Sequence, residues 1–167
     1  MNYFKNIIII LASFLTVLFD VAFFSNFQFF EANVLSCVAI LFTLAIFDKK
    51  GRWLLLYALS TVFFFAILSS LPLWVILLDF LLLPVFLNLI RRRFFPEPNV
   101  FTLLFFSIPF LALLGTVILA SATEFSFPVL KVLLAFVVAN QVLVSLVAGF
   151  YLLVGNFYLK RIGFIKT

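Results

Sequence analysis

The sequence predicts an all-α integral membrane protein, a six-transmembrane-helix bundle with both its N and C termini cytoplasmic. Three observations predict it. Of 167 residues, 67% are hydrophobic and only 10% charged, against about 45–50% and about 25% in soluble domains. The apolar residues form six continuous runs of helix length, not the alternating pattern of barrel strands. The basic residues gather at alternate breaks between those runs. Backbone in lipid must satisfy its own hydrogen bonds, which leaves helices or a closed barrel, and continuous apolar runs select helices.

The first span, 6–24, follows Lys5. Its start resembles a signal peptide, but no small-x-small cleavage site follows near 24–28, so it is read as a span. Asp20 falls near its outer end, an interfacial position. The second span, 29–47, is apolar from 33 onward, and Phe29 and Phe30 extend it into the interface. It carries Cys37, the single cysteine, which reads as a small apolar filler. The third span, 54–70, meets the fourth, 73–90, through Ser69-Ser70-Leu71-Pro72. Pro72 suits a first helical turn, where its missing N–H costs little, so these two helices should form a close antiparallel hairpin. The fifth and sixth spans are 100–121 and 128–154. The polar stretches between them are too short for a soluble core, so 1–167 is one membrane domain.

Orientation follows from charge. With the N-terminus inside, Lys5, Lys49, Lys50, Arg52, Arg91, Arg92, Arg93, Lys160, Arg161 and Lys166 are all cytoplasmic, ten of the eleven basic residues. Lys131 snorkels from the start of the last span to the outer interface. The outer loops hold Glu31 and Glu124 and no lysine or arginine. The net charge of +5 is therefore a topology signal and not a nucleic-acid face.

Two basic segments, Lys49-Lys50-Gly51-Arg52 and Arg91-Arg92-Arg93, are candidate contacts for anionic lipid head groups or a cytoplasmic partner. The plainer reading makes them topology anchors, with Phe94 and Phe95 at headgroup level. Inside the membrane, Asp79 of span four is the most costly residue, at about 2.5–3.5 kcal/mol on insertion scales. It reads either as an interhelical hydrogen-bonding group, to Thr61 or Asn140 for instance, or as a proton or cation relay. Asn140 and Gln141 lie mid-span; about 100° apart on a helix, they face different neighbours. Ala135, Ala139, Ser145 and Gly149 offer small-residue faces for close helix approach. The 27 phenylalanines, spread over every span, read as lipid-facing filler.

The sequence holds no histidine, no nucleophile-elbow or zinc-protease motif and no phosphate-binding glycine loop. The residues before Asp20 and Asp79 are Phe19 and Leu78, which do not fit an intramembrane aspartyl protease. A non-catalytic role without cofactor or metal is expected.

The order of the loop motifs resembles the bacterial rod-shape-determining membrane protein family MreD, over roughly residues 5–120. The matching segments are Phe27-Gln28-Phe29-Phe30-Glu31-Ala32-Asn33, Asp48-Lys49-Lys50-Gly51-Arg52, Ser69-Ser70-Leu71-Pro72-Leu73 and Arg91-Arg92-Arg93-Phe94-Phe95. The chain departs from the family at Ala66, where an aspartate is usual, and at Trp74, where a glycine is usual. The resemblance implies a scaffold of the cell-wall elongation machinery in the inner membrane. It further implies a periplasmic MreC-like partner and other wall-elongation components, among them an actin-like filament and a glycosyltransferase.

Two other functions remain open on the sequence. One is the substrate-binding subunit of an energy-coupling-factor vitamin transporter, in which Ala12 and Thr16 stand where an alanine-x-x-x-alanine coupling face is usual. That reading requires a pocket near the outer surface. The other is a small ion-coupled transporter centred on Asp79.

Overall fold

The computed structural model describes residues 2–24, 28–29, 32–95, 100–122 and 127–161. Helix α1 (Asn2–Phe19) runs into a π-helical turn, Asp20–Phe24. A minimal antiparallel pair follows, β1 (Gln28–Phe29) and β2 (Ala32–Asn33), with Gln28 opposite Asn33. Then come α2 (Ser36–Phe47), α3 (Arg52–Leu68), α4 (Leu73–Leu77), a second π-helical turn (Leu78–Leu82), α5 (Leu83–Phe94), α6 (Val100–Ala122) and α7 (Phe127–Arg161). Because α4, its π turn and α5 form one rod, Leu73–Phe94, the described residues make six helical rods.

Two segments, Leu73–Phe94 and Leu130–Leu153, are long and apolar enough to cross a membrane. Four shorter apolar helices accompany them: Asn6–Ala22, Ser36–Phe47, Arg52–Leu68 and Phe105–Ala120. The outward faces carry large apolar side chains, including Phe63, Leu82, Phe86, Leu146 and Phe150, all exposed. A coat this continuous is unfavourable in water and suits an apolar solvent.

Helix α2 is the axis of the bundle. It touches α1, α3, α5 and α7. Cys37, Val38, Ala39, Leu41, Phe42, Thr43, Ala45 and Ile46 are all buried. A helix apolar on every side has no solvent face and goes to the centre. It is also short: 12 residues rise about 18 Å, against a hydrocarbon core of about 30 Å. The sequence predicts helix from 29, yet the helix begins at Ser36, and β1 and β2 lie against α7 instead.

The other helices lock around this axis. Tyr57 Oη and Thr16 Oγ1 are 2.6 Å apart and tie α3 to α1. Phe65 of α3 stacks on Phe80 of the second π turn, with ring centroids 4.6 Å apart. Phe42 of α2 meets Phe110 of α6 at 5.4 Å. Phenylalanine is therefore core as well as lipid-facing filler, a correction to the sequence reading. Gly115 sets the α6–α7 distance, since a Cβ there would lie 2.8 Å from Leu133 Cδ1 and 2.9 Å from Phe136 Cδ1. The second π turn has a local cause in Pro84: the ring supplies no N–H to the preceding turn, and Leu83 N–H bonds Leu78 C=O five residues back.

Candidate functional site

At one end of the bundle, Asp48 closes α2 and opens α3. Its Oδ1 accepts Lys50 N–H at 3.0 Å, and its Oδ2 accepts Trp53 N–H at 2.7 Å and Leu54 N–H at 3.0 Å. Trp53 and Leu54 N–H are free amides of the first turn of α3, and a side-chain oxygen caps them. Gly51 completes the turn at φ 68°, a left-handed conformation. The carbonyl end of α2 is held from α5. Asn88 Nδ2 donates to Ala45 C=O at 2.6 Å and to Asp48 C=O at 3.1 Å. Arg91 and Arg92 Nη2 donate to Asp48 C=O at 3.3 and 3.5 Å.

Asp48 thereby joins the two basic segments into one cluster. Lys49, Lys50, Arg52 and Arg93 are exposed, Arg92 is half-buried and Arg91 is 1% exposed. The arginines occupy the last turn of α5, where its carbonyl dipole favours cations, so the helix runs past residue 90, where the sequence ends the fourth span. Arg91 is thus structural, which removes it from the candidate docking residues. The guanidinium of Arg52 lies 5.9 Å from the Trp53 ring and that of Arg93 lies 6.0 Å from Phe94. Cation and aromatic belt coincide at this end. Asn88 was not singled out in the sequence, although it lies on one helix face with Arg91, three residues away.

The opposite, amide end of α2 is held by two other helices. Asp20 Oδ1 accepts Ser36 N–H at 2.7 Å and the Ser36 hydroxyl, and Oδ2 accepts Cys37 N–H at 2.9 Å. Asn140 of α7 accepts Leu35 N–H at 2.9 Å through Oδ1 and donates from Nδ2 to Phe136 C=O at 2.9 Å. Asp20 is 3% and Asn140 1% exposed. Asp20 is therefore a buried cap of α2, with its carboxylate turned into the protein. Irregular backbone at membrane depth is tolerated only when its polar groups are satisfied by protein, and these two side chains satisfy three consecutive amides. Gln141 points elsewhere, with Nε2 3.4 Å from Ser145 Oγ, beside a small α6–α7 cleft of about 170 Å³.

A cavity of about 490 Å³ opens beside this capped end. It lies among α3, α6, α7 and the end of α1. Leu35, Phe65, Ile118 and Val132 supply apolar wall, and Asp20 and Ser69 supply polar wall. The tight turn shapes its rim: Ser69 Oγ accepts Leu71 N–H at 3.3 Å, and Pro72 C=O accepts Val75 N–H at 3.0 Å and Ile76 N–H at 3.2 Å.

Asp79 stands apart from all of this. It is 0% exposed, sits in the second π turn, and neither carboxyl oxygen has a hydrogen-bond partner among the described residues. The expected bonds to Thr61 and Asn140 are not made, and Asn140 is spent on the start of α2. Of the small-residue positions on α7, Ala135, Ala139 and Gly149 are half-buried while Ser145 is exposed. Among the described residues no group of His, Cys, Asp or Glu could hold a metal. Expectations placed on Phe30, Glu31, Glu124 and Lys166 lie outside the described residues.

No family model, no curated protein and no solved structure matches this chain.

Proposed function

We propose that this chain is a non-catalytic scaffold of the bacterial wall-elongation machinery, similar to MreD, with six spans and both termini in the cytoplasm of an inner membrane. The observation that carries the reading is the convergence of Lys49, Lys50, Arg52, Arg92 and Arg93 on one end of the bundle. That end suits the cytoplasmic leaflet, where anionic lipid head groups and a cytoplasmic filament would meet it. The Ser69–Pro72 turn then faces the periplasm, where an MreC-like partner would dock. The polar side chains spent on helix ends, Asp20, Asn88, Arg91 and Asn140, support a rigid scaffold rather than a conduit.

Two measurements test this. Cysteines at Lys49 and Ser70 should be labelled by an impermeant maleimide only from opposite sides of the membrane. Purification in mild detergent should recover an MreC-like protein; repeated recovery of no elongation component would end the proposal.

The cavity favours a second reading, a substrate-binding subunit of an energy-coupling-factor transporter. Against it, Thr16 of the presumed coupling face is turned to Tyr57 of α3. A thermal-shift screen with vitamins separates the two: micromolar ligand should raise the melting temperature only of a substrate binder.

A further inference from the structure

The exposed arginines of the basic end stand at the heads of apolar stripes. On α3, Arg52, Leu55, Leu59 and Phe63 are all exposed, and their spacing of three and four residues places them on one helix face. On α5 and the π turn before it, Arg93, Leu89, Phe86 and Leu82 repeat the pattern in the opposite chain direction. Each stripe ends in a cation beside an aromatic ring, Arg52 at 5.9 Å from Trp53 and Arg93 at 6.0 Å from Phe94. The two rods are packed neighbours. Arg92 joins their ends, since a Cβ on Gly51 would lie 2.5 Å from its Nη2. Asp48 is the one carboxylate at this end among the described residues, and both its oxygens are turned to backbone amides. The positive charge is left for an outside anion.

The geometry points to a binding site, on the rim shared by α3 and α5, for a lipid with two phosphates and four acyl chains, of the cardiolipin type. One phosphate takes Arg52 and the other Arg93, with Arg92 between them, and the acyl chains lie along the two stripes. Arginine suits this role because its planar fork bonds phosphate oxygens in pairs. An acidic protein would need the cations alone. Here each cation shares a helix face with exposed apolar side chains, so head group and chains are recognised together. One two-phosphate lipid is favoured over two single-phosphate lipids, because the second phosphate binds from within a molecule already held by the first. Neighbouring helix axes stand about 8–10 Å apart, a gap that a glycerol bridge and two arginine side chains cover. The site rests on the cytoplasmic placement of the basic end and names the lipid that meets it.

The test reads lipid retention by native mass spectrometry. The whole protein is released from phosphatidylcholine nanodiscs that hold a small fraction of cardiolipin, or of phosphatidylglycerol at matched total phosphate charge. One cardiolipin should stay with each chain, several-fold more often than phosphatidylglycerol. Arg52→Gln and Arg93→Gln should each cut that retention several-fold. Lys131→Gln removes an equal charge beside Val132, at the opposite end of the bundle, and should leave retention unchanged. All three side chains are exposed, so the variants should keep the melting temperature of the unmodified protein. Equal retention of the two lipids, or undiminished retention in a folded Arg52→Gln, Arg93→Gln double variant, overturns the site. Displacement of the lipid by poly-glutamate overturns it too and marks a surface for an acidic protein. Maleimide labelling of a cysteine at Lys49 from the outer side ends the cytoplasmic placement and the site with it, whereas labelling from the inner side with no retained cardiolipin ends the site alone.

Discussion

The Asp20 carboxylate grips the Ser36 amide at 2.7 Å, and through that bond the end of α1 becomes the cap of α2. Sixteen residues separate the two in sequence. The bond turns an unfinished helix start, buried among apolar side chains, into a satisfied one. It also explains why a 12-residue helix can stand at the centre of the bundle.

Asp20→Ala should therefore be among the most damaging single changes. It leaves the Ser36 and Cys37 amides without acceptors, at about 1–3 kcal/mol for each unsatisfied buried group. Asp20→Asn keeps one acceptor oxygen and should cost less. Melting temperatures in detergent check the order: unmodified above Asn above Ala.

Asn140 and Gln141 are neighbours with unequal roles. Asn140→Ala frees the Leu35 amide and should cost about 1–3 kcal/mol. Gln141→Ala gives up one long bond to Ser145 and should fall within about 0.5 kcal/mol of the unmodified protein. Equal losses at the two positions would contradict the cap assigned to Asn140.

Gly51 is left-handed, and a Cβ there would lie 2.5 Å from Arg92 Nη2. Gly51→Ala should cost about 1–2 kcal/mol from backbone strain alone. It should also push Arg92 away from Asp48 C=O. Gly149→Ala, where a Cβ meets nothing within 4 Å, is the control and should leave the melting temperature nearly unchanged.

Asp79 yields the most divided outcome. Its oxygens are buried without partners, so Asp79→Leu removes an unsatisfied polar group and should stabilise by about 1–3 kcal/mol. If Asp79 instead carries ions, Asp79→Asn should abolish flux measured in liposomes from the unmodified protein. A more stable Asp79→Leu variant with no flux from the unmodified protein supports the scaffold.

The sequence by itself determined the all-helical character of the chain, the number of helical rods and the distribution of positive charge. Those follow from composition and from runs of like residues, which need no partner to be read. It also marked the Ser69–Pro72 turn and the basic segments, because proline, glycine and arginine act through local geometry and charge. What only the tertiary structure decided is which polar residue answers which. Asp20 shows no partner in the sequence until Ser36 is placed against it, Arg91 looks like a docking group until α5 buries it under Asp48, and Asn88 is marked only by sharing a helix face with Arg91. Where α2 begins could not be read either: its start depends on acceptors from α1 and α7, more than a hundred residues apart in the chain. Apolar helices are nearly uniform on every face, so periodicity says little about their neighbours. The few polar side chains then select the arrangement, because an unsatisfied amide in an apolar interior costs more than any one apolar contact returns.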